Sequence, residues 1–77
     1  MATKQITHNG FEYTVNAVTH TNGEDAVYTV ADENGAVVYT GVAEDYTPEA
    51  WVEIFNASDM IDIEIETGIK FPVTEAE

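Results

Sequence analysis

Apolar and polar residues alternate through the first half of the chain, and three Asn-Gly pairs punctuate the alternation, at Asn9-Gly10, Asn22-Gly23 and Asn34-Gly35. A period of two marks a half-buried strand. Asn-Gly between two such runs marks a hairpin, because a type I′ turn needs positive φ at both central residues. The spacing predicts four strands, over 3–7, 11–19, 26–31 and 36–42. Two-residue loops set Ile6 opposite Tyr13, Val15 opposite Val30, Ala17 opposite Tyr28, Val30 opposite Tyr39 and Asp32 opposite Val37. Directly opposed residues share a face of the sheet. The three hairpins therefore agree on one apolar face: Ile6, Phe11, Tyr13, Val15, Ala17, Tyr28, Val30, Val37 and Tyr39. A slip of one residue at any turn would break that agreement.

The other face aligns Asn16, Thr29 and Thr40 and is expected to meet water. Val18, Val27, Val38 and Val42 share it. They read either as scattered surface valines or as a patch covered by the C-terminal segment or a second subunit.

After the strands the period changes. Thr47 is a good N-cap, Pro48 suits the first helical position and Glu49 suits the positive end of the dipole. Ala50, Trp51, Ile54 and Phe55 fall at helical spacing, and the helix is expected to end near Ala57, where Asn56, Ser58 and Asp59 form a breaker cluster. Trp51 and Phe55 would then close the core on the aromatic face of the sheet. Between 60 and 66, Ile61, Ile63 and Ile65 alternate with Asp62, Glu64 and Glu66, which predicts a fifth strand. The alternative is a second helix capped by Ser58, against which stands the spacing of the isoleucines, since residues two apart do not share a helical face. Ile69, Phe71 and Val73 are expected to dock as a short extension that Pro72 breaks. The fold class is thus α+β: a four-stranded antiparallel meander with one helix on its aromatic face. It forms a single domain over 1–73, with 74–77 as a frayed acidic tail.

Composition narrows this picture. Leu, Ile, Val and Phe make up about 23% of the 77 residues, just above the roughly 20% below which disorder is expected. A core this small sits near the lower limit of self-sufficiency. There is no cysteine, which removes disulfides and thiolate chemistry. No apolar run suits a signal peptide or a membrane-spanning helix, so the cytoplasm is the expected location.

The charge changes the picture most. Fifteen carboxylates face two lysines and no arginine, a net charge of −13. Surface scaling gives a chain of this mass roughly 4,600 Å², or about one net negative charge per 350 Å². Direct binding to DNA or RNA phosphates is excluded in practice, since it draws on Lys and Arg. Anionic membrane surfaces are disfavoured for the same reason.

Catalytic and metal constellations fail in turn. His8 and His20 flank turns as surface residues do and lack metal-ligand spacing. Ser58, the lone serine, has no triad around it. Asp32-Glu33-Asn34-Gly35 lacks the pattern of a calcium loop. No Gly-rich loop precedes a helix. No cofactor, metal or catalytic residue is expected, and the chain reads as a non-enzyme.

What remains is the distribution of carboxylates. Ten of the fifteen lie in the last 34 residues, among them Glu44, Asp45, Glu49, Glu53, Asp59, Asp62, Glu64 and Glu66. On a strand, Asp62, Glu64 and Glu66 would stand about 6.7 Å apart on one face. On the helix, Glu49 and Glu53 would stand about 6 Å apart. Rows of this kind imitate a nucleic-acid backbone and would be steered onto a basic groove. In size, charge and β-rich character the chain resembles small phage-encoded DNA mimics, such as uracil-DNA glycosylase inhibitors, anti-restriction proteins and anti-CRISPR proteins. No motif carries that likeness, so it transfers no functional residue. The expectation is an acidic inhibitor that binds a basic nucleic-acid-binding protein through those eight residues. Two alternatives stand beside it. One is an acidic surface suited to high salt, which predicts evenly spread carboxylates. The other is an assembly domain that dimerises through a sheet edge or through the Val18/Val27/Val38/Val42 patch.

Overall fold

The structure is a computed structural model and describes residues 1–71; the tail expected at 74–77, and Val73 of the expected extension, lie outside the described residues. Asn9 and Gly10 take φ of 54° and 81°, the pair of positive values a type I′ turn requires. They join β1 (Ala2–His8) to β2 (Phe11–Thr19), with Ile6 opposite Tyr13 as expected.

The other two Asn-Gly pairs work differently. There the glycine alone enters the left-handed region, Gly23 at 78° and Gly35 at 86°. The Asn22 Oδ1 accepts from the backbone N–H groups of Glu24 (2.8 Å) and Asp25 (3.2 Å), an Asx-type turn. Its loop is closed by the His20 N–H, which donates to the Asp25 carbonyl at 2.8 Å. The wider loop keeps the expected register into β3 (Ala26–Ala31), with Val15 opposite Val30 and Ala17 opposite Tyr28.

At the third turn the expected geometry is corrected. The Asp32 side chain accepts from the N–H groups of Asn34 (2.9 Å) and Ala36 (3.0 Å), which stabilises a three-residue loop with glycine in the left-handed position. The Asp32 N–H accordingly donates to the Ala36 carbonyl, so Asp32 does not face Val37. In β4 (Val37–Ala43), Val37 pairs with Ala31, a bulge passes over Val38, and Tyr39 returns to its place opposite Val30. The extra loop residue and the bulge cancel in register but not in facing. Val37, expected inside, is 59% exposed, and Val38, expected outside, packs against the core.

The strands lie in the order β1-β2-β3-β4. Both helices cover one face. Helix α1 (Pro48–Ile54) starts as expected, with Thr47 Oγ1 accepting the Ala50 N–H at 3.1 Å. It ends at Ile54 rather than Ala57, because Phe55 is extended and Asn56 already caps the next element. Its buried stripe is rotated from the expected one: Pro48, Val52 and Phe55 face inward, Trp51 is half-buried, and Ala50 and Ile54 are exposed. The ammonium of Lys4 donates to the carbonyls of Phe55 (2.6 Å) and Glu53 (3.3 Å), which satisfies acceptors at the negative end of α1 and ties it to β1.

Residues 60–66 are not a fifth strand. They belong to helix α2 (Ala57–Thr67), the alternative reading, with Asn56 rather than Ser58 as its cap. The Asn56 Oδ1 accepts the Ser58 N–H, and the Asp59 carboxylate accepts the Asn56 N–H, both at 2.8 Å, so the supposed breakers form a capping box. Gly68 closes the helix at φ 79°, its N–H donating to the Glu64 carbonyl. Met60 and Ile63 are buried, at helical spacing, while Ile61 and Ile65 stay outside. The isoleucines therefore never had to share a face.

Helix α1 packs across β1, β2 and β3, and α2 packs against β1. Between the layers Tyr28 meets Trp51 at 5.1 Å and Phe55 at 5.7 Å between ring centroids. Phe71 docks as expected, 2% exposed and edge-on to Tyr13 at 5.7 Å, whereas Ile69, expected to dock with it, is 39% exposed. Phe11, expected inside, is 46% exposed, since it lies at the hairpin end, where Phe71 covers His8 and Tyr13 instead.

Candidate functional site

The two lysines offset little of the charge locally. Lys4 is engaged with carbonyl groups of α1, and among the described residues Glu64 is the one carboxylate within ion-pair distance of a basic side chain, that of His8. The eight acidic residues singled out by sequence fall into three groups.

Glu44 and Asp45 lie exposed in the connection between β4 and α1. Asp45 holds φ at 64°, fixed by its N–H donating to the Asp25 carboxylate at 3.0 Å. That bond, followed by one from the Asn22 side-chain amide, holds the Asp25 carboxyl below its ordinary range. Glu49 and Glu53 are exposed on α1, about 6 Å apart at four residues' rise.

On α2 the helix regroups the remaining four. Asp59 is half-buried in the capping box. Asp62 and Glu66 are exposed neighbours, four residues apart. Glu64 is two residues from each, hence about 200° around the helix, and faces inward. It accepts from the His8 Nε2–H at 3.0 Å and from the Phe71 N–H at 2.8 Å. Those two bonds, the His8 one foremost, hold its carboxyl below the ordinary value. The row of three carboxylates drawn from a strand is thus replaced by the pair Asp62/Glu66, with Glu64 as an internal tie. His8 is corrected with it. Paired with Phe11 on the covered face, it is 5% exposed rather than a surface residue.

Two features escaped the sequence. First, Ile61 and Ile65 sit beside Asp62 and Glu66 on the outward side of α2, 49% and 78% exposed. Their i, i+4 spacing was visible, but it carries meaning only on a helix. Second, Glu12, Asp32 and Glu33 meet Gln5 and Thr14 around an open depression of about 420 Å³ at one end of the outer sheet face. Two of its three carboxylates serve the backbone: Glu33 accepts the Glu12 N–H at 3.1 Å, and Asp32 holds its own turn. Burial, then the charges of Asp32, Glu33 and Glu64, pushes the nearby Tyr13 phenol up. Among the described residues, no group of three or more His, Asp or Glu side chains is placed to hold a metal ion.

The outer sheet face carries no charge over its middle. Thr3, Asn16, Thr29 and Thr40 align across all four strands, and Val18, Val27 and Val42 form a row beside them. Val38 is absent from this row because the bulge turns it to the core.

Among the described residues, no helix is long and apolar enough to cross a membrane. Comparison with protein-family models, with curated proteins and with solved structures finds no match.

Proposed function

We propose that this chain is a small acidic binding protein that acts in the cytoplasm by occupying the basic cleft of a DNA- or RNA-handling protein. The observation that carries this reading is the set of uncompensated, exposed carboxylates on the helical half: Glu44, Asp45, Glu49, Glu53, Asp62 and Glu66. The two helical pairs hold their charges at fixed spacing, which suits rapid electrostatic steering onto a positive groove. Asp59 and Glu64 support that surface from within. The non-enzymatic reading draws on where the histidines are engaged. His8 is tied to Glu64, and His20 Nδ1 accepts the Asn22 N–H at 3.0 Å within its own loop.

The test is affinity capture with the full chain at roughly 50 mM and 500 mM salt, because ionic contacts weaken between them. Recovery of a nucleic-acid-binding protein at low salt, lost at high salt and lost in Glu49→Gln/Glu53→Gln/Asp62→Asn/Glu66→Gln, supports the reading. Recovery that ignores both salt and the four substitutions overturns it.

A second reading is favoured by the uncharged middle of the outer sheet face: an assembly domain that pairs copies through Val18, Val27 and Val42. On a molecule of net charge −13 the middle of this face is a surface two copies can bring together while Glu12, Asp32 and Glu33 stay at its end. It predicts association that rises with concentration in sedimentation and is abolished by Thr29→Lys in the centre of the face.

A further inference from the structure

Four of the six isoleucines stay at the surface: Ile54, Ile61, Ile65 and Ile69 are 49%, 49%, 78% and 39% exposed. All four lie in the stretch where the carboxylates crowd. Ile61 and Ile65 form one stripe of α2, and Asp62 and Glu66 form the stripe beside it. Core packing does not account for these isoleucines. Helix propensity does not either, since isoleucine is a poorer helix former than Gln, Glu or Ala. A surface that imitated phosphate charge alone would have no use for them.

We propose that the outward side of α2, built from Ile61 and Ile65 with Asp62 and Glu66, docks a basic amphipathic helix of a protein partner. Apolar side chains of that helix cover the two isoleucines, and its Lys or Arg side chains meet the two carboxylates. The proposal rests on the acidic-binding reading above and names the chemistry of the partner. Charge complementarity selects this occupant. A second copy would set Asp62 and Glu66 against their own counterparts, on chains of net charge −13 each. Nucleic acid and anionic lipid are repelled in the same way. The last turn of α2 contains Glu64 and Glu66 and no basic residue, so the negative end of its dipole adds to the attraction for a cationic segment.

The experiment titrates the full chain with two synthetic peptides of equal positive charge: one of about 18 residues with Leu on one helical face and Lys on the other, and an oligolysine. The amphipathic peptide is expected to bind more tightly, to gain helical circular dichroism on binding, and to shift amide resonances centred on α2. Ile61→Gln/Ile65→Gln removes the apolar stripe at two exposed positions and keeps a good helix former at each, so the fold is retained. It is expected to weaken the amphipathic peptide by about tenfold or more and to leave oligolysine binding unchanged. Equal affinity for the two peptides, or an unaltered affinity in the double variant, overturns the docking proposal and leaves the charge-only reading standing. Failure of both peptides to bind overturns the proposal and the acidic-binding reading together. Self-association that the double variant abolishes overturns it by assigning the stripe to a second copy.

Discussion

The Nε2 of His8 and the carboxylate of Glu64 lie 3.0 Å apart across 56 residues of sequence, and the same carboxylate oxygen holds the Phe71 N–H at 2.8 Å. The contact joins the end of β1, the inner side of α2 and the segment that follows it. With the Asn9 side chain donating to the Phe71 carbonyl at 2.8 Å, it pins Phe71 over Tyr13. These bonds hold the Glu64 carboxyl below its ordinary value of 4.5. A carboxyl with a depressed folded value contributes stability above its unfolded value and loses it as pH falls through the folded one. Glu64→Gln keeps an acceptor and removes the charge, so it should melt at a lower temperature than the parent at pH 6. The gap should shrink as pH drops below about 4.5 and close once Glu64 is protonated. Comparing the two melting curves between pH 3 and 6 isolates this residue from the many other carboxylates that titrate there. A gap that does not change over that range would deny the contact its role.

Tyr28 stands directly opposite Gly41, and its ring fills the space where a side chain at Gly41 would go. A Cβ built on Gly41 would lie 2.8 Å from both Cζ and Oη of Tyr28 and 2.9 Å from Cε2 of Tyr39. Gly41→Ala must push aside a ring already packed on Trp51 and Phe55, an overpacking cost of about 1–3 kcal/mol. Urea denaturation should show a lower midpoint with an unchanged slope.

The burial of Tyr28 also predicts a behaviour in alkali. Its phenol is pushed up to about 12, first by burial and then by Tyr39. An unfolded tyrosine ionises near 10, so the unfolded state releases this proton first and stability falls as pH rises from about 10 to 12. Absorbance at the phenolate band should show Tyr28 titrating late or together with unfolding, beside Tyr13, whose phenol is also pushed up. Tyr28→Phe should remove the Tyr28 share of that late absorbance and leave the share of Tyr13.

The strands could be read from the sequence because their signal is local. Alternation fixed the faces, and Asn-Gly fixed where the chain reverses. Val37 and Val38 exchange their expected faces because Asp32 has a side chain that can cap a wider turn, and a bulge then restores the register that the wider turn would have lost. Neither event leaves a trace in the period of the residues. The 60–66 segment departs from its strand pattern for a different reason. Strict alternation of Ile with Asp and Glu is a strand pattern, and it was overridden by the Asn56/Asp59 box, the left-handed Gly68, and a core that needed only Met60 and Ile63. The acidic surface was visible as a composition. Its division into exposed pairs and an internal Glu64 was not, because it depends on the helical period and on His8, which the first hairpin brings to Glu64 from 56 residues away.

The capping of α2 can be tested directly. Asn56→Ala removes the acceptor for the Ser58 N–H and should cost about 1 kcal/mol, with a range of 0.5–2. Gly68→Ala places a Cβ at φ 79° and should cost about 1 kcal/mol. Both should lower the melting temperature, and their effects should add, since they act at opposite ends of one helix. A strand over 60–66 would respond to neither.

The carboxylate pairs set stability against binding. Glu49/Glu53 and Asp62/Glu66 are like charges at i, i+4, each pair destabilising its helix by about 0.2–0.5 kcal/mol. Self-repulsion across a molecule of net charge −13 adds to this. Neutralising the four with Gln and Asn should therefore raise the melting temperature by a few degrees at low salt, and less at high salt, where screening already relieves the repulsion. If the pairs exist to meet a basic partner, the same variant should be more stable and bind worst, with the loss concentrated in the association rate, because steering depends on these charges. If the charge serves only to keep the protein solvated, stability should rise with no loss of any partner. Measuring the melting temperature and the association rate on one variant separates the two explanations.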